Sequence, residues 1–76
     1  MKIMENSVCQ KTFGEFIRNR RNELNMSQQD IAAQLGISQN YYSLLERGER
    51  TVDLFQAMNI CSVLGLNISE FTGKFM

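Results

Sequence analysis

Four residues, Leu35-Gly36-Ile37-Ser38, constrain this chain more than any others. Before them Ile31, Ala32 and Leu35 recur at helical spacing; after them Tyr42 and Leu45 stand three apart. Two helices joined by so short a connection must cross steeply. The crossing needs a small side chain, and the turn needs a residue that accepts positive φ. Ala32 and Gly36 fill those two places, and Ser38 is a good N-cap for the helix that follows.

The rest of the chain reads as further helices around this junction. No segment alternates with period two for long enough to form a strand, there is no proline, and several of the glycines at 14, 36, 48, 65 and 73 fall where helices should end. Thr12 with Glu15 three residues on has capping-box spacing and predicts a first helix from about Thr12 to Asn25, with Phe13, Phe16, Ile17 and Leu24 as its apolar stripe. Ser27 with Asp30 opens a second helix to Leu35, and Ser38 opens a third to about Arg47. Asp53 with Gln56 opens a fourth, carrying Leu54, Ala57, Ile60, Cys61 and Leu64 and ended by Gly65. Asn67 with Glu70 opens a short fifth containing Ile68 and Phe71. The expected class is all-α: a five-helix domain over residues 12–72, an extension over 1–11 and a tail over 73–76.

Composition limits the function classes. A single domain of 76 residues buries only about 60% of the surface of its unfolded chain, so its core is marginal. Cys9 and Cys61 lack metal-ligand spacing and the chain has no histidine, so no metal is expected; Cys61 reads as a small core hydrophobe. No leader pattern is apparent in MKIMENSVCQ and no apolar stretch approaches the roughly 20 residues of a membrane span, which suits a reducing cytoplasm. No nucleophile–base pairing or phosphate-cradling glycine loop is visible, so neither an enzyme nor a cofactor is expected. Eight basic and eight acidic residues cancel, and any polyanion-binding surface must be a local patch.

With Gln28 as first residue of a twenty-residue unit ending at Arg47, apolar side chains occupy positions four, eight, ten, fifteen and eighteen: Ile31, Leu35, Ile37, Tyr42 and Leu45. This is the pattern of a helix-turn-helix, whose second helix enters the major groove by its N-terminal part. Together with FGEFIRNRR before the motif, MSQQDIAAQLGISQNYYSLLERGER through it and VLGLNISEF after it, the chain from Phe13 to Phe71 resembles the Cro and lambda-repressor-like family, often called XRE, which includes the controller proteins of restriction-modification systems.

The resemblance implies roles for particular residues. Gln28, at a helix start where free N–H groups and the dipole favour an anion, would donate to a phosphate. Gln39 and Asn40, on the outer first turn of the third helix, would read base edges, since an amide can donate and accept together toward adenine. Ser43 would reach a base edge or phosphate. Leu44 stands where relatives often carry a longer polar side chain, and either meets a thymine methyl or packs on a neighbour. Tyr41 would offer its hydroxyl to a phosphate, while Tyr42 falls at a core position with its hydroxyl at the rim. Arg47, Arg50 and Thr51, just past the third helix, are further phosphate candidates. Arg21 and Glu46 would form the family's structural ion pair, leaving Arg18 and Arg20 mostly at the surface.

The tail EFTGKFM is more apolar than an exposed end should be. Ile68, Phe71 and Phe75 are expected at a two-fold interface near the fourth and fifth helices. The expected partners are a double-stranded DNA operator and a second copy of the chain, with no membrane and no small-molecule ligand. A transcription regulator is expected, with an antitoxin or a protein-interaction module on the same fold as the alternatives.

Overall fold

The computed structural model describes residues 6–67, and among them there are four helices and no strand: α1 (Asn6–Glu23), α2 (Gln28–Leu35), α3 (Gln39–Glu46) and α4 (Leu54–Val63). The fold is all-α. The fifth expected helix, with Ile68, Phe71 and Phe75, lies outside the described residues.

Local chemistry sets most helix ends. Ser27 accepts from the Asp30 amide at 3.0 Å while the Asp30 carboxylate accepts from the Ser27 amide at 3.2 Å, a complete capping box. Ser38 accepts from Tyr41 N–H at 3.1 Å, and Asp53 from Gln56 N–H at 2.7 Å. Gly36 takes φ 71°, and the chain closes α2 with Ile37 N–H on the Ala32 carbonyl at 3.0 Å. A side chain at 36 would meet no atoms, so the requirement there is backbone conformation alone.

One boundary differs. α1 begins at Asn6, so Thr12 lies inside it and does not cap it. Nothing between Asn6 and Lys11 breaks a helix, and tertiary contact supports this turn: a Cβ on Gly48 would come within 2.7 Å of the Lys11 Cα. Farther along α1, a Cβ on Gly14 would strike the Glu46 carbonyl and lie 2.7 Å from the Leu45 carbonyl oxygen. The last turn of α3 thus rests directly on α1, with glycine at the contact.

The core lies between these helices. Phe13 and Ile17 of α1 meet Ile31 and Ala32 of α2, Tyr42 and Leu45 of α3, and Ala57, Ile60, Cys61 and Leu64 in and after α4. Full burial of a side chain such as Ile17 or Leu45 stabilises by roughly 1.5–3 kcal/mol. Leu24 and Leu54, expected in the apolar stripes, are exposed instead. Leu24 follows the end of α1 beside left-handed Asn25, and Leu54 is the first residue of α4, so neither lies on the buried face.

Candidate nucleic-acid interface

α3 is fixed from below and open above. Tyr42, Leu45 and Glu46 are buried, Ser43 and Leu44 are half-buried, and Gln39 and Asn40 stand exposed on the first turn. Residues 39, 40, 43 and 44 share one face at helical spacing, so the structure brings the four expected base-reading side chains together. Arg47, Arg50 and Thr51 are exposed just beyond the helix, with Arg47 paired to Glu49 at 2.9 Å.

The position of α3 depends on a buried ionic cluster. Arg21 Nε donates to Glu46 Oε2 at 2.6 Å and Arg21 Nη2 to Glu46 Oε1 at 3.0 Å, a two-point fork. Arg21 Nη1 donates to the Met26 carbonyl at 2.9 Å, just before the α2 cap. Gln28 Nε2 donates to the same Glu46 Oε1 at 3.0 Å. One carboxylate therefore joins the end of α1, the start of α2 and the end of α3. Burial works against the charge on Glu46, but the hydrogen bonds from Arg21 and Gln28 outweigh it, and the carboxyl titrates below its ordinary value. The hydrogen bond to Glu46 raises Arg21 above its own ordinary value despite desolvation.

Tyr42 is fully buried, hydroxyl included, so that group does not reach the rim as expected from sequence. The hydroxyl has no partner in hydrogen-bonding geometry, although Glu46 and Arg21 are near enough for their charges to act on it. Burial first, and then the Glu46 charge, push its ionisation well above the ordinary tyrosine value.

Two further contacts lay beyond sequence reasoning. Tyr41 is half-buried against the core, and its hydroxyl donates to Gln56 Oε1 at 3.4 Å, tying α3 to α4. Arg20 is not mostly a surface residue: its Nε donates to the Leu64 carbonyl at 3.0 Å, closing the end of α4 onto α1. Both join distant helices, and neither leaves a local pattern in the sequence.

A short helix crossed at Gly36 by a second helix, whose buried face is locked and whose outer face begins with two exposed amides, defines a helix-turn-helix DNA-binding domain. Residues 17–71 match the helix-turn-helix family model, and the chain belongs to that family, in its XRE branch. The control protein C.MunI from a Mycoplasma species is 37% identical over 59 residues, covering 76% of this chain and 80% of that protein. The restriction-modification controller protein C.AhdI from Aeromonas hydrophila has a similar structure: TM-score 0.74 at 28% identity, over 80% of this chain and 92% of that one. The clp gene regulator ClgR from C. glutamicum shares the fold, with TM-score 0.80 at 23% identity over 84% of this chain and 83% of that one.

Proposed function

We propose that this chain is a sequence-specific double-stranded DNA-binding transcription regulator that acts as a homodimer on a two-fold symmetric operator. The observation that carries the reading is the division of α3 into a locked inner face and an outer face bearing exposed Gln39 and Asn40 beside Ser43 and Leu44. Amides at the groove end of a recognition helix suit adenine edges, and Leu44 suits a thymine methyl. Gln28, Tyr41, Arg47, Arg50 and Thr51 flank this face and contact phosphates. Tyr41 does so by turning its one hydroxyl proton from Gln56 to the phosphate.

An apolar face on α4 supports dimerisation. Leu54 is 63% exposed, Phe55 77% and Met58 47%, more apolar surface than scattered exposed residues would give. A second copy covers this face together with Ile68, Phe71 and Phe75, and sets two recognition helices roughly 34 Å apart. The likeness to a control protein and to a restriction-modification controller favours a repressor or autoregulator of that kind. No described helix is long and apolar enough to cross a membrane.

Selecting bound duplexes from a random pool tests the reading, because a symmetric site returns half-site and spacing together. Replacing Gln28 and Arg50 together should abolish a salt-dependent shift of duplex DNA. Absence of any duplex binding by the wild-type chain at low salt would refute the proposal.

A further inference from the structure

We propose that Glu46 is a positioning residue for DNA binding: by accepting one proton of the Gln28 amide, it turns the other outward to a phosphate. The inference rests on the DNA-binding reading above. Its basis is the 3.0 Å bond from Gln28 Nε2 to Glu46 Oε1.

Glu46 cannot easily move to suit a ligand. It is 2% exposed, and both its oxygens are held by the Arg21 guanidinium. Facing a fixed carboxylate, the Gln28 amide has a single favourable orientation, because its carbonyl oxygen would be repelled and its NH2 attracted. An NH2 group carries two protons on diverging N–H bonds. With one on Glu46, the second is left to serve a ligand, on a side chain that is only half-buried at the first position of α2.

This orientation matters because the start of α2 is otherwise a poor anion site. The Asp30 carboxylate already lies there, bonded to the Ser27 amide, and the Asp30 amide is occupied by Ser27 Oγ. A phosphate approaching α2 therefore depends on the Gln28 side chain more than on the helix end. Glutamine loses considerable rotamer freedom when fixed, and holding it before DNA arrives removes that cost from binding.

The experiment is a double-mutant cycle read by fluorescence anisotropy of a labelled duplex, with wild type, Gln28→Ala, Glu46→Gln and the double variant. Arg21 Nη2 and Gln28 Nε2 share Oε1 while Arg21 Nε takes Oε2 at 2.6 Å, so an amide at 46 that keeps its one oxygen on the shorter bond from Arg21 Nε presents its NH2 to Gln28. Each single change should weaken binding about three- to ten-fold, the worth of one hydrogen bond. The double variant should bind no worse than the weaker single. Losses that multiply would overturn the positioning role while leaving DNA binding intact, as would a Gln28→Ala variant with unchanged affinity. Absence of wild-type binding would remove the DNA reading itself, and this inference with it.

A measurement on the wild type covers the case in which Glu46→Gln does not fold. In 15N-resolved NMR spectra, one Gln28 Nε2 proton should be protected and stay in place as duplex is added, while the other shifts. Two protons that exchange and shift alike would overturn the proposal.

Discussion

Gly14→Ala tests the contact that seats α3 on α1. In an exposed helix interior this change is favourable, because alanine exceeds glycine in helix propensity by about 0.8–1.0 kcal/mol. Here the new Cβ would lie 2.7 Å from the Leu45 carbonyl oxygen and collide with the Glu46 carbonyl. Both obstacles are main chain in the last turn of α3, so no flexible side chain can yield. Overpacking typically costs about 1–3 kcal/mol, and a backbone obstacle puts the cost near the upper end. Subtracting the propensity gain leaves a net loss of about 2 kcal/mol. A domain of this size has only about 4–11 kcal/mol in total, and each kcal/mol moves the midpoint by roughly 4–8 °C. The variant should therefore melt about 8–16 °C below wild type in far-UV circular dichroism at matched protein concentration. Asn19→Ala, at an exposed position of α1, is the control and should melt at or slightly above wild type. If Gly14→Ala also melted at or above wild type, the close seating of α3 on α1 would be wrong.

The Glu46 carboxyl is depressed on folding, so its ionised form stabilises the native state above the unfolded carboxylate pKa, and that contribution drains as pH falls toward the folded value. The urea midpoint of wild type should therefore fall more steeply between about pH 6 and pH 3 than that of Glu46→Gln; parallel profiles would contradict the assigned shift. Tyr42→Phe removes a buried hydroxyl that lacks a hydrogen-bond partner, so stability by urea titration should change by less than about 0.5 kcal/mol or rise. A loss above about 1.5 kcal/mol would mean that the hydroxyl is bonded within the Arg21–Glu46 cluster. If Arg47 and Arg50 are the charged phosphate contacts of each protomer, a dimer neutralises four phosphates, and log K should fall with log salt at a slope of about −3.6. A slope steeper than about −6 would require other cations on the backbone.

The readings that agreed with the structure depend on neighbours in sequence. Ser27, Ser38 and Asp53 announce helix starts because the groups they cap lie three residues on, and Gly36 announces the turn because its conformation is local. Thr12 misled for the same reason. Its spacing to Glu15 is a local signal, but α1 continues back to Asn6 with Lys11 packed against Gly48, a contact no local pattern encodes. Gly14 was opaque because its partners are carbonyls, and main chain carries no residue identity. Arg21 and Glu46 can be paired through family resemblance, whereas the same resemblance points Gln28 only to a phosphate outside. Its inward bond to Glu46, across 18 residues, required coordinates.

The zero net charge is compatible with reading a polyanion, because several of the charges in residues 6–67 act within the fold. Glu46 serves Arg21 and Gln28, Asp30 and Asp53 cap helices, and Arg20 closes α4. Subtracting these leaves Arg47, already near Glu49, and Arg50 as charges beside the recognition helix, with uncharged Gln39 and Asn40 on its outer face. Non-specific affinity comes almost wholly from charge, whereas discrimination among sequences comes from contacts at base edges. A surface with few cations and several amides therefore lowers the competing term more than the useful one. What matters in a genome is the ratio of specific to non-specific binding multiplied by the number of competing sites. On that measure, a neutral domain loses less than its charge count suggests, and less still if a second copy doubles its contacts.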